Sequence, residues 1–200
     1  MSRIIIDVGR VDNTSKSRRT VVNDTLDFAE VDALSLAIFG DKQLTRTIRT
    51  AGKLDLATVR ANTERALARH RSSVPSIRAR NVLMHDHLMA GFSGEAVIIS
   101  SALLLNTLAE AEKSFRMSFK TIKSKLGHPL DPAPSELALR MLRAVLAAAR
   151  VFGNVEAARK YLRTRNFALG GATPVDLLQT AEGERIVLNE LQTQADGGPL

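Results

Sequence analysis

The chain has 200 residues, no cysteine, no tryptophan and a formal net charge of +7. A hydrophobic content of 44% can bury a core for one large or two small domains, and the lack of Cys excludes a disulfide framework and any thiolate metal site. Aromatic content of only 4%, many Ala and Leu residues and few β-branched runs predict an all-α fold packed through small aliphatic side chains.

Residues 1–32 alternate bases, acids and hydroxyls around "DNTSKSRRT" without sustained periodicity, which predicts a loose arm with a short strand at Ile4 to Ile6. The opening "MSRIIIDVGR" is closed by Asp7 too soon for a signal peptide, and "AVIISSALLL" falls well short of the ~20 residues that span a bilayer. The expectation is a cytoplasmic protein with no membrane contact. Helical spacing begins at Val31: Leu34 and Ile38, then Leu44 and Ile48, predict two helices broken at Gly40, and Leu54, Val59 and Leu67 continue the pattern. Arg60, Arg65, Arg69, Arg71, Arg78 and Arg80 make residues 33–94 a basic helical extension, interrupted by a break at "HRSSVPS". His85 and His87 in "HDH" are two apart, which on a helix puts them on different faces, and no metal site is expected.

"HDHLMAGFSGE" marks a second boundary, after which Ala96 to Leu108 reads as a helix with a buried aliphatic face, opening a domain over 95–150. Lys113 to Lys125 holds five bases and no acid. A short helix, a turn around Phe115 to Met117, and a helix from Phe119 to Leu126 capped by Ser118 and ended at Gly127 have the layout of a helix-turn-helix. Phe119, Ile122 and Leu126 would face inward. Arg116, Ser118, Lys120, Thr121, Lys123 and Lys125 are the candidate DNA contacts, the alternative being a solvated lysine face on an ordinary helix. With no Arg, Asn or Gln at the helix start, such contacts would be mainly to phosphates.

Three prolines in "HPLDPAPSE" precede a long helix predicted to start at Ser135 and to be closed by Gly153, with Asn154 capping the next. Residues 151–200 are compact in signals. Asn166 to Thr173 reads as a loop in which Gly170 and Gly171 allow positive φ, Thr173-Pro174 starts a short helix, and Glu182-Gly183 breaks the chain before the last one. Five acids (Asp176, Glu182, Glu184, Glu190, Asp196) face only Arg185 between 176 and 196. No nucleophile elbow, P-loop or dinucleotide fingerprint occurs, so the sequence predicts a protein that is not an enzyme and needs no cofactor.

From about Ala96 to Asp196 the chain resembles the Xre/MbcA/ParS family of type II antitoxins. The likeness rests on Phe152-Gly153, Leu162, Asn166, Leu169 to Gly171, Pro174, Asp176 to Leu178 and Gly183, in order. Tyr161 stands where the family usually has Trp, and Arg165 where it usually has Pro. The resemblance implies an Xre-like helix-turn-helix bundle followed by a small helical toxin-binding domain. It implies that the chain neutralises a cognate toxin, typically a RES-domain enzyme consuming NAD, by covering its active site. A homodimer that represses its own operon by binding operator DNA is part of the same expectation. The implied toxin-facing residues are Arg159, Tyr161, Arg163, Asn166, Leu169, Gly170, Gly171, Pro174, Asp176, Glu182, Gly183, Asp196 and Leu200. The other reading is a stand-alone helix-turn-helix regulator whose C-terminal domain only dimerises.

Overall fold

The computed structural model describes residues 27–71 and 80–197. The strand expected at Ile4 to Ile6, most of the "HRSSVPS" break and Leu200 lie outside them. Regular structure among the described residues is helical throughout, as the composition predicts: eleven α-helices and one 3-10 turn. The only β pairing there is an isolated bridge between Ser93 and Pro129.

Helices α1 (Phe28–Phe39) and α2 (Lys42–Thr50) flank the break at Gly40, and each starts on an aspartate that satisfies orphan N–H groups: Asp27 for Ala29 and Glu30, Asp41 for Leu44. Helices α3 (Leu56–Arg71) and α4 (Arg80–Ala90) complete the N-terminal half. Asp27 to Asp32, expected in the loose arm, belong to the α1 cap and its first turns. Val31, Leu34, Ile38, Leu44, Ile48, Val59 and Leu67 are buried in the same cluster as the apolar residues of the C-terminal half.

The centre of that cluster is α5 (Glu95–Leu104), whose ten residues are all buried. It ends at Leu104, four residues before the length read from its aliphatic run, because Thr107 accepts from the Glu110 N–H and starts α6 (Leu108–Phe115). A buried helix end leaves carbonyls that need donors. Three arginines supply them from two other helices. Arg60 of α3 donates to the Ala102 and Leu105 carbonyls at 2.6 and 3.2 Å. From α9 (Val155–Leu162), Arg159 donates to the Leu105 carbonyl and to Asn106 Oδ1 at 3.3 and 2.8 Å. Arg163, the C-cap residue of α9, reaches the Leu104 carbonyl and pairs with Glu110 at 2.7 Å. The positive charge also complements the negative end of the helix dipole.

Helix α7 (Phe119–Ser124) leads by way of Gly127 into α8 (Pro132–Phe152). The long helix begins at Pro132 rather than at Ser135, since the first turn has no intrahelical use for the N–H groups that proline lacks. Ser135 is buried in that first turn and serves a neighbouring segment instead. Its Oγ accepts from the Phe92 N–H at 3.1 Å, tying the loop before α5 to α8. Gly153 closes α8 at φ 88°, as its position predicts. Helix α8 also carries Arg143, which lies between Asp32 of α1 at 2.8 Å and Glu184 of the last helix at 3.1 Å.

Candidate functional site

Two surfaces correspond to the two sequence expectations. The first is built by α6, the turn after it and α7. Arg116 takes a left-handed conformation, φ 51°, and its N–H returns to the Glu112 carbonyl, so the chain reverses in three residues. Ser118 Oγ accepts from the Thr121 N–H at 3.1 Å, and the two hydroxyls lie 2.8 Å apart. Ile122 is fully buried, while Phe119 and Leu126 are partly buried against the core. Arg116, Ser118, Lys120, Thr121 and Lys123 are exposed and Lys125 is half-buried. The two hydroxyls are engaged in the cap, which leaves the cations as the groups facing solvent.

The second surface is the C-terminal unit: α9, a 3-10 turn at Phe167–Leu169, α10 (Pro174–Leu177) and α11 (Ala181–Ala195), packed on α8 through Ala158, Leu162, Leu178, Val187 and Leu191. Its loop is fixed by Asn166, every polar group of which is used. The Asn166 N–H donates to the Ala172 carbonyl, and its own carbonyl accepts from the Gly171 N–H at 2.9 Å. Its Oδ1 accepts from the Ala168 N–H, and its Nδ2 donates to the Tyr161 hydroxyl at 3.2 Å. Burial pushes the Tyr161 phenol above its ordinary pKa, and the ring packs 4.7 Å from that of Phe152. Gly170 and Gly171, at φ 67° and 79°, return the chain, a conformation that side-chain-bearing residues adopt only with strain.

The consequence of this fixed loop is the exposure of Phe167, which is 98% accessible. A fully exposed aromatic on a hydrogen-bonded turn stands at the rim of an open groove of about 660 Å³ floored by Phe152 and Tyr161, with Lys160 and Arg165 beside it. Sequence reasoning passed over Phe167 because a lone aromatic in a short loop is ordinarily drawn into the core. The usable signal was that Asn166 and the two glycines fix the backbone around it.

The remaining expected residues are distributed unevenly. Leu169 is half-buried, Pro174 is buried at the start of α10, and Asp176 is exposed with its carboxylate hydrogen-bonded by the Thr173 hydroxyl. Arg159 is turned inward onto the end of α5, and Arg163 is committed to Glu110. Glu182 is exposed but neutralised by Arg185, and Asp196 accepts from Gln192. Glu184 is buried. Glu184 is thus withdrawn from the acidic run, while Glu182 and Asp196 are engaged by neighbours on α11. Arg116, Arg163 and Asp176 line one cleft of about 590 Å³ between α6 and α10, joining the two surfaces.

Gly183 does not break the chain. It lies in the first turn of α11, where its N–H donates to the Thr180 hydroxyl that caps the helix. A Cβ at this position would lie 1.9 Å from the Leu177 carbonyl oxygen, so glycine is required for the close approach of α10 and α11. Gly183→Ala is expected to destabilise the protein by about 3 kcal/mol, since the obstacle is backbone that cannot yield. Chemical denaturation measures this, and an unchanged midpoint would contradict the packing described.

Residues 147–197 match the family model described as the antitoxin Xre/MbcA/ParS C-terminal toxin-binding domain. The match covers the end of α8 and the whole of the second surface, including the Phe167 loop, so this part of the chain is similar to the toxin-binding domain of toxin–antitoxin antitoxins. No curated protein is similar enough to the chain to be matched. Among the described residues no group of three or more His, Asp or Glu could hold a metal ion, and no helix is long and apolar enough to cross a membrane.

Proposed function

We propose that this chain neutralises a RES-domain toxin that consumes NAD, by laying residues 151–200 over the entrance of the toxin's active site, and that residues 95–150 bind operator DNA and repress the chain's own operon. The observation that carries the first half is the coincidence of the matched domain with a rigid loop bearing an exposed aromatic. In this reading Phe167, Asn166, Leu169, Gly170, Gly171 and Asp176 form the toxin-facing contour, while Arg159, Arg163 and Gly183 hold its shape. The second half is supported by the layout of α6 and α7, with Arg116, Lys120, Lys123 and Lys125 as phosphate contacts. Residues 33–94 form a helical extension of this DNA-binding body, and the active form is a cytoplasmic homodimer.

Expression of the neighbouring gene alone and together with this protein tests the proposal. Growth arrest with falling NAD, relieved by co-expression, is the expected result. Arrest without NAD loss would overturn the RES assignment. A harmless neighbour, with a chain that retains DNA but no protein in a pull-down, would favour the stand-alone regulator.

A further inference from the structure

Helix α2 carries three cations and no acid: Lys42, Arg46 and Arg49, spaced i, i+4 and i+7, which puts them along one face. All three are exposed, opposite the buried Leu44 and Ile48. This stripe is fixed beside the turn that follows α7. Arg49 pairs with the buried carboxylate of Glu95, the Glu95 oxygens accept from the Gly127 N–H at 3.0 and 3.1 Å, and the Arg49 guanidinium carbon lies 3.4 Å from where a Gly127 Cβ would stand. Burial would raise the Glu95 carboxyl, but Arg49 and the Gly127 N–H outweigh it and hold its pKa below the usual carboxylate range. The linkage is therefore ionised at neutral pH. The acids nearest α2 are already engaged: Asp41 caps the helix and pairs with Arg69 and His70 at 3.0 and 2.9 Å, and Asp55 caps the start of α3.

We infer that α2 is a second phosphate-binding element, which extends the basic surface of α7 onto the DNA backbone flanking the site that α7 contacts. This role rests on the reading of α7 as facing DNA. It gives the N-terminal extension a purpose that a helix-turn-helix alone does not need. Arg49 keeps α2 in place through Glu95, and Lys42 and Arg46 make the phosphate contacts. Because phosphates carry no sequence information, the contribution is to affinity and salt dependence and not to base discrimination.

The test uses the full chain and a duplex carrying the sequence immediately upstream of its own reading frame, with affinity measured across a salt series. Replacing Lys42 and Arg46 by alanine is expected to weaken binding about 10-fold or more near physiological salt and to reduce the slope of log K against log salt by about 1.8, at about 0.9 per phosphate contact. Toxin neutralisation by the same variant, which alters only exposed side chains, should be unchanged and reports that it is folded. An unaltered slope, with the parent binding the duplex, overturns the role of α2 alone. A parent that binds no duplex overturns the DNA-facing reading of α7 and the role of α2 together.

Discussion

Phe167→Ala is expected to weaken the complex with the toxin by about 2 kcal/mol or more, roughly 30-fold in Kd, while leaving the fold intact. Both halves of the expectation come from the same number. At 98% exposure the side chain contributes almost no packing to the free protein, so truncation should alter stability by no more than about 0.5 kcal/mol. A rigid aromatic on a fixed backbone loses little conformational freedom on binding and desolvates a large apolar area, the properties of an interface anchor. Asn166→Ala offers a second measure. It frees the loop while keeping Phe167, and should reduce affinity chiefly through the entropy of re-ordering residues 166–171. Titration calorimetry or surface binding with purified toxin gives both values. A Phe167→Ala chain that binds as tightly as the parent would remove the loop from the interface.

Arg143→Ala is expected to have the largest effect on stability, about 3 kcal/mol or more at neutral pH. Arg143 lies between two nearly buried carboxylates, Asp32 of α1 and Glu184 of α11, and its loss leaves them facing each other across the vacated space. Burial already pushes the Glu184 carboxyl above its ordinary pKa; Arg143 and Arg140 pull it down and Asp32 pushes it up. An acid whose folded pKa is raised contributes stability fully below its unfolded pKa of about 4.3 and loses it as pH rises through the folded value. Removing Arg143 raises that folded value further. The variant's deficit should therefore grow as pH rises above the parent's raised Glu184 value towards neutrality, and should shrink when Glu184→Gln is added. Urea denaturation at both ends of this range checks the sign. A deficit independent of pH would mean that Arg143 acts through packing alone.

Much of the helical skeleton was legible because its signals are local. Ser118 and Asn154 each precede a helix and accept from its first turn, and Gly40, Gly127 and Gly153 fall at the ends of helices or turns that periodicity delimits. Local rules failed where a distant element decides. Ser135 has the sequence context of a cap but is drawn inward by the Phe92 N–H, forty-three residues away. Gly183 has the context of a breaker but is fixed by the Leu177 carbonyl. Glu184 stands in a run of acids yet is itself buried against Arg143, and Arg159 stands on an amphipathic helix yet serves the end of α5. Of the candidate toxin-facing surface, the backbone was legible and the side chain that projects from it was not. Asn166, Gly170 and Gly171 announce a closed turn, but exposure depends on what the rest of the chain leaves uncovered.

The arginine cluster at the end of α5 bears on how such proteins can exchange partners. Arg159 and Arg163 belong to the matched segment, but their guanidinium groups complete α5, which lies outside it. A recombination joint placed between α8 and α9 would separate the cap from the carbonyls it serves unless the incoming segment brought two arginines four residues apart. A joint placed after Arg163 keeps the cap whole and still transfers the Asn166–Gly171 loop with everything that follows it. On the proposed reading of this loop as the toxin-facing contour, partner choice is separable from the register of α9, which stays with the host.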